Sequence, residues 1–317
     1  MSRLRVIAAG ALTTVQDLGR PGWAASGVSA SGAADPVSLR IGNLLVGNEA
    51  GAAALEMTLV GGIYEAEAAT VVAVTGSDFA PTMTTRSGRS YRVEAWRPLE
   101  LKQGDAVRFD ATRSGARCYL SVRGGILAPP LLGSASTHLL TGLGGHQGRA
   151  LRRGDLLDIG AAAGPVRTLR VPHDLLDRIV FRRILRVVPG PQADWFPPES
   201  VEQLHSALWE ISEEADRVGL RLRGPSIHRA HREQLATEGV CLGAVQVPDN
   251  GQPILLFVEH QTTGGYPKIA NVISADLPAV GQLRPRDLAR FEPTSLADAR
   301  AALEEQERFL AGALEPA

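Results

Sequence analysis

The chain has 317 residues, 44% of them hydrophobic, and a formal net charge of −1 at pH 7. That length exceeds the usual single domain, so two domains are expected, and a near-neutral chain without a basic stripe argues against a nucleic-acid partner. No run is apolar for the length of a membrane span, and the opening MSRLRVIAAGALTTVQD lacks the apolar core of a secretory signal, so a cytoplasmic protein is expected.

The 34 Gly and 20 Pro favour many strands joined by turns. Runs rich in Val, Ile, Leu and aromatics, from LRVIAA and TVVAV through RCYLSV and ILRVV to GLRLR, GAVQV and ILLFV, predict short strands. The glycine-dense stretch TTVQDLGRPGW…SGVSASGAADPVSLRIGNLLVGN comes early. Within it Arg20 is a candidate ligand residue, or the partner of Asp17 across a turn. Asp35 before Pro36, with Val37, Ile41, Leu44 and Leu45 at helical spacing and Gly47 beyond, predicts a capped helix whose N-terminus favours an anion. Asp78 follows the strand TVVAV and is read either as a turn aspartate or as a ligand residue.

LKQGDAVRF (101–109), LRRGDLLDI (151–159) and LRPRDLARF (283–291) repeat one design, a tight Gly-Asp turn feeding a strand. The third copy carries Arg286 in place of Gly, so its turn is expected to differ. A second echo links LRVIAAG (4–10) to LRVVPG (185–190). Together they predict two related β domains, 1–178 and 179–317, joined by a connection within 165–183. PPESVEQLHSAL (197–208) predicts a short helix. SLADARAALEEQERFL (295–310), with Ser295 and Asp298 in capping positions, predicts a C-terminal helix packed by Leu296, Ala299, Leu303 and Leu310.

Common catalytic signatures are missing. There is no GxxxxGK[ST], GVSASG departs from GxSxG by one position, and GLGGHQG (142–148) leads into a turn and strand rather than a dinucleotide-binding helix. His228 and His231 lack a third ligand, so no metal site is expected. Cys118 and Cys241, both in apolar surroundings, are read as inert thiols of a reducing compartment.

The segment FVEHQTTGGYPKIANVISADLP (257–278) stands out. A hydrophobic strand breaks into Glu259, His260, Gln261, Thr262, Thr263, Gly264, Gly265, Tyr266 and Lys268. The glycines mark either a hairpin turn or a place where backbone N–H groups approach a ligand oxygen. Glu259 or His260 can act as base or acceptor, and Tyr266 can stack or donate. Of the 33 basic residues only Lys102 and Lys268 are lysines, which marks Lys268 as a position where a guanidinium does not serve.

Taken together, TTVQDLGR, SGAADPVSLRIGN, LVGN, TGSDFAP, GGHQGRALRRGD, ADRVGLRLRGP, GAVQVPDNGQPI and QTTGGYPKIANVISADL resemble, in order, the biotin-dependent carboxyltransferase family. That family includes allophanate hydrolase subunit 2, the C-type component of a bacterial 5-oxoprolinase and the KipA regulator. The resemblance runs to about residue 292. Glu259 departs from a more usual Asp, and Ala34 from a larger residue, often Met.

The resemblance implies a mainly β fold with two related cyclophilin-like β-barrel domains, a few short helices and a C-terminal helix. It implies action beside a subunit-1/B-like partner, with a LamB/YcsF-type subunit as a further candidate. The activity implied first is ATP-dependent opening of 5-oxoproline to glutamate by a hetero-complex. The alternatives are carboxyl transfer to urea and a non-catalytic KipA-like role binding a KipI-like inhibitor. No cofactor is expected on this chain alone: ATP is used by the complex, or biotin is delivered in trans. Urea, the biotin ureido ring and the lactam share a planar N–C=O group, which needs N–H donors for its oxygen and an acceptor for its N–H. On this basis Glu259, His260 and Lys268 are the catalytic candidates. Gln261, Thr262, Thr263, Gly264, Gly265, Tyr266, Asp78, Arg20 and Asp35 are the substrate-binding candidates.

Overall fold

Short alternating runs make strands the dominant element of the structure, a computed structural model that describes residues 2–162, 169–172, 183–230, 233–312 and 315–316. The expected connection at 165–183, the 178/179 boundary and His231 lie wholly or largely outside the described residues. The chain divides into two compact units. One comprises Met1–Arg20, Ser31–Val180 and Phe309–Ala317, the other Pro21–Ala30 and Phe181–Arg308. Among the described residues no helix is long and apolar enough to cross a membrane.

The first unit contains β1 (Arg3–Ala8), β2 (Leu12–Gln16), β3 (Ala54–Thr58), β4 (Ile63–Ala66), β5 (Thr70–Gly76), β6 (Thr82–Thr84), β7 (Ser90–Arg92), β8 (Pro98–Leu101), β9 (Ala106–Arg108), β10 (Arg117–Val122), β11 (Leu156–Asp158) and β12 (Leu169–Arg170). Six strands form one sheet in the order β11-β1-β4-β9-β6-β7, and five form another, β2-β3-β10-β5-β8. Leu4, Val6, Tyr64 and Val107 of the first sheet share a core with Leu55, Met57, Val72 and Leu120 of the second.

The run TVVAV is apolar at every residue but its leading Thr70 because both faces of β5 are covered. Val72 and Val74 enter the intersheet core, while Val71 and Ala73 pack on helix α1 (Pro36–Leu45) through Val37, Ile41 and Leu45. Asp35 caps that helix as expected: its carboxylate accepts from Ser38 N at 3.0 Å and Ser38 Oγ at 2.6 Å.

The second unit closes a barrel in the order β13-β20-β17-β18-β15-β14-β21. Its strands are β13 (Ile184–Pro189), β14 (Trp209–Ile211), β15 (Gly219–Arg223), β17 (Ala244–Gln246), β18 (Ile254–Leu256), β20 (Lys268–Val272) and β21 (Leu288–Pro293). Two-residue strands β16 (Glu238–Gly239) and β19 (Thr263–Gly264) form a separate ribbon, and β22 (Glu315–Pro316) pairs with β12. The chain is thus mainly β, with a barrel, few helices and a C-terminal helix. Among the described residues the first unit keeps two open sheets.

Helices α2 (Pro198–Ser206) and α3 (Leu277–Gln282) precede α4 (Leu296–Ala311). The expected capping pair of α4 is present, with Asp298 N donating to Ser295 Oγ at 3.0 Å. Its expected packing face is corrected: Leu296 is 76% exposed and Leu303 36%, whereas Leu310 is buried beside Ile41 and Leu45.

The three Gly-Asp-type turns are one structure. Asp105, Asp155 and Asp287 accept from the backbone N–H three residues earlier, at Lys102, Arg152 and Arg284, over 2.9, 2.8 and 2.9 Å. The residue before each Asp is left-handed: Gly104 at φ +83°, Gly154 at +93° and Arg286 at +71°. The third turn therefore does not differ. Arg286 bears the strain that glycine avoids, and its guanidinium pairs with Glu213 at 2.6 Å. The second echo ends at the strands: β1 runs antiparallel to β11, whereas β13 runs parallel to β21.

Arg149 holds the Asp155 carboxyl down, from 3.8 to about 2, by hydrogen bonds of 2.8 and 2.9 Å. A depressed carboxyl stabilises the fold above its ordinary range and loses that contribution as pH falls from about 4 through 2. Asp155→Asn is expected to flatten that part of a stability-versus-pH curve recorded by urea unfolding.

Candidate functional site

The site is built from strand register. On the barrel, Leu220, Leu255 and Val245 are opposite one another across β15, β18 and β17, and all three are buried. Side chains alternate along a strand, so the next row, Arg221, Ile254 and Gln246, lies on the other face. Against β20 the register slips by one residue. Val245 faces Ala270, but Gln246 faces Lys268 instead of Ile269. This bulge places Lys268 directly opposite Gln246, about 5 Å away at the backbone.

The β16–β19 ribbon continues the polar cluster. Lys268 Nζ donates to Glu238 Oε1, and Gln192 Nε2 donates to the same oxygen at 2.8 Å. Gln192 Oε1 accepts from Lys268 N at 3.1 Å. The Lys268 ammonium, and then the Gln192 amide, hold the Glu238 carboxyl below the usual carboxylate range. Lys268 is 2% exposed, Gln246 1% and Gln192 7%, so a cation and two amides are buried together.

Gln246 Oε1 takes only a long contact, 3.4 Å, from Gln261 Nε2. Its own Nε2 is buried with no hydrogen-bond partner among the described residues, which costs about 1–3 kcal/mol. Gly264 lies over that nitrogen, and a Cβ there would come within 2.8 Å of it. Gly264 is thus required by packing rather than by a turn: it is a strand residue outside the left-handed region, as is Gly265. Gly265 has ordinary room for a side chain.

A cavity of about 580 Å³ covers this face, lined by Arg221, Ile254, Gln246, Gln261 and Tyr266 among others. Of the expected residues, Gln261 and Tyr266 are therefore gathered with Gln246 at the cavity, and Gly264 lies against the Gln246 amide. Lys268 adjoins them through the register. Thr262 contributes its carbonyl to Val240 N at 3.1 Å, and exposed Thr263 faces Gly239. His260 Nδ1 lies 2.6 Å from Gln261 O, and burial pushes its pKa down, so the neutral ring keeps Nε2 as an acceptor.

Glu259 is elsewhere engaged. Its carboxylate meets Arg217 Nε at 2.5 Å with both side chains buried, and Glu259 N donates to Arg217 O at 2.8 Å. The pair joins the segments just beyond the paired ends of β15 and β18.

The three remaining candidates belong to the first unit. Asp35 is spent on the α1 cap. Arg20 is buried and donates to Leu131 O and Ser136 O. Asp17 accepts from Ser134 Oγ, Ser136 Oγ and Ala135 N at 2.5–2.6 Å, so its contacts are to the 134–136 loop rather than a simple pair with Arg20 across a turn. Asp78 Oδ1 accepts from Ala80 N at 2.7 Å, and the residue lines a separate cavity of about 370 Å³ with Arg92, Glu94 and Trp96. The glycine-rich 142–148 loop is likewise structural: a Cβ at Gly144, Gly145 or Gly148 would collide with neighbouring atoms at 2.1 Å or less. Cys118 is buried, whereas Cys241 is exposed with Sγ 3.1 Å from Asn271 Oδ1, which corrects the expectation of apolar surroundings for the second. No group of three or more metal-ligating side chains occurs among the described residues.

Gln246, Gln192, Glu238 and Arg221 were not expected. Gln246 carried a signal, a lone amide inside the apolar run GAVQV. The others carried none, because their meeting depends on strand order.

Residues 26–293 match the model of the carboxyltransferase domain, subdomain A and B. The chain belongs to the carboxyltransferase-domain family. This family member is 39% identical over 306 residues to the C-type component of 5-oxoprolinase from Escherichia coli, covering 96% of each chain. It is 33% identical to urea amidolyase of Saccharomyces cerevisiae, covering 94% of this chain and 17% of that one. The crystal structure of K. lactis urea amidolyase superposes with a TM-score of 0.90 at 31% identity, over 99% of this chain and 20% of the other.

Removing one partner of the buried Arg217–Glu259 pair strands a charge. Glu259→Gln and Arg217→Met are each expected to lower unfolding free energy by about 3 kcal/mol in urea denaturation, and the double variant to recover part of that loss.

Proposed function

We propose that this chain is the C-type component of an ATP-dependent 5-oxoprolinase complex that opens the 5-oxoproline lactam to glutamate. The observation that carries the reading is the similarity to its Escherichia coli counterpart over 96% of both chains, against a match to only a small part of urea amidolyase. In the reaction a water-derived oxygen adds to the lactam carbonyl carbon, the C–N bond breaks, and the ring nitrogen leaves as the amine of glutamate. The complex supplies ATP hydrolysis. A subunit-1/B-like protein and a LamB/YcsF-type protein are the partners this reading calls for.

The site geometry supports the reading. Charge builds on the carbonyl oxygen as the bond opens, and preorganised donors or a nearby cation stabilise it by about 3–4 kcal/mol. The buried Lys268 ammonium and the amides beneath Gly264 are such groups. Of the two acceptors, Glu259 is held by Arg217, so His260 through Nε2 is the one able to take a proton.

A second reading has its own support in the TM-score of 0.90 with urea amidolyase: carboxyl transfer to urea with biotin brought by another protein. The chain has only Lys102 and Lys268 and no Met-Lys-Met segment to carry biotin itself. A KipA-like role as a binder of an inhibitor protein predicts no turnover at all.

Co-expression with the neighbouring genes for the partner proteins, followed by glutamate release from 5-oxoproline, tests the proposal. ATP-dependent release is expected. Lys268→Ala is expected to reduce it by about 100-fold and Lys102→Ala, on an exposed turn, to leave it unchanged. Absence of ATP-dependent glutamate release from the assembled complex would sink the reading. Carboxylation of urea by the same complex would put the second in its place.

A further inference from the structure

We infer that the outer row Arg221–Ile254–Gln246 is a recognition strip for a small cyclic cis-amide that carries a carboxylate. The inference rests on the oxoprolinase reading and adds to it the groups that would select such a ligand.

Gln246 supplies the amide reader. A primary amide presents N–H and C=O side by side, and a lactam presents the complementary pair, so the two can join through two hydrogen bonds. Among the described residues the Gln246 Nε2 donor lacks a partner, and its Oε1 is held only by the 3.4 Å contact from Gln261. Gly264 keeps the space above this amide free of a side chain. The ribbon covering it is two residue pairs long, Glu238–Gly264 and Gly239–Thr263, and its further ties, Glu238 to Lys268 and Gln192 and Val240 N to Thr262 O, are on the Glu238 strand and beyond Thr263, so a ligand is admitted by a shift of the chain at Gly264 and Gly265.

Arg221 supplies the carboxylate reader. It lies in the same row as Gln246, two strands away, which puts the backbones about 10 Å apart with apolar Ile254 between them. Both side chains line the 580 Å³ cavity. Arg221 Nε is 3.6 Å from Glu214 Oε2, with both side chains more than half exposed. Such a solvated pair is weak and is readily exchanged for a ligand carboxylate. The other acid on this side, Asp216, is committed to Val218 N and Gly219 N at 2.8 and 3.0 Å. Arg223, further along β15, is opposite Glu210. The strip therefore has an amide reader, an apolar floor and a cation in sequence. Urea has no carboxylate for the cation, and proline has no ring carbonyl for the amide.

The test is binding by isothermal titration, on the full chain and on the co-expressed complex, of 5-oxo-L-proline, 2-pyrrolidinone, N-methyl-2-pyrrolidinone and L-proline. We expect 5-oxoproline to bind about tenfold more tightly than 2-pyrrolidinone, and the N-methyl compound and proline to bind more weakly still. Arg221→Gln should erase the preference for 5-oxoproline while leaving 2-pyrrolidinone unchanged. Gln246→Leu should weaken both lactams about tenfold, with Gln246→Glu as the shape-preserving variant should the first fail to fold.

A preference that survives Arg221→Gln, lactam affinities that survive both Gln246 variants, or no binding by chain or complex would overturn the inference. Turnover with unaltered selectivity in the variants would remove the strip and leave the oxoprolinase reading standing. Gln246-dependent lactam binding without turnover would do the reverse.

Discussion

A one-residue slip between β17 and β20 governs the chemistry of the second unit. Side chains in a sheet alternate with a strict period of two, so a register change of one residue exchanges the faces of everything beyond it. Without the slip, Gln246 would be opposite Ile269, a core residue 2% exposed, and Lys268 would be shifted out of the row. With it, the ammonium of Lys268 comes beside the amide of Gln246 under the β16–β19 ribbon, and the polar cluster exists at all. The bulge also explains why lysine is kept here. Nζ of the buried Lys268 meets the partly exposed Glu238, a contact that a planar guanidinium with its five donors would make differently.

Both units combine satisfied polar networks with single buried polar atoms that lack a partner among the described residues, such as Gln16 Oε1 and Ser121 Oγ in the first and Gln246 Nε2 in the second. In the first, Glu56 Oε2 accepts from Tyr119 Oη at 2.7 Å and from Ala34 N at 2.8 Å, and Tyr119 Oη in turn accepts from Asp35 N at 2.8 Å. Burial, and then the neighbouring Glu56, push the Tyr119 phenol well up, so it stays a neutral donor. Asp17 accepts four hydrogen bonds in the same manner. Such satisfied networks specify a unique packing. In the second unit the nitrogen of the Gln246 amide has no hydrogen-bond partner among the described residues, and Gly264, outside the left-handed region, lies over it.

Local chemistry was legible wherever neighbours in sequence are neighbours in space. The Asp35 cap, the Ser295–Asp298 pair and the Gly-Asp turns involve contacts three residues apart, so residue identity and spacing were enough. The Arg286 turn shows the limit of that reasoning. The Asp287 hydrogen bond and the strand that follows impose the left-handed conformation even without glycine. In α4 the apolar positions looked alike, yet Leu310 and Phe309 at its end found a covering surface while Leu296 and Leu303 did not, since packing depends on what the rest of the chain brings alongside. Glu259 looked like a base because strand ends often carry one. Its partner, Arg217, lies 42 residues earlier and is joined to it only by the pairing of β15 with β18.

The amino-acid sequence alone determined that the chain is mainly β, where its helices are capped, which turns recur and that the 259–268 segment is chemically unusual, because these follow from composition, period and short-range hydrogen bonding. Tertiary structure alone decided which polar groups meet. Strand order and one bulge set Lys268, Gln246 and Arg221 in a single row while tying Glu259, Arg20 and Asp35 into the framework. The physical reason is that cross-strand neighbours are chosen by register, and register is a property of the assembled sheet rather than of any one strand.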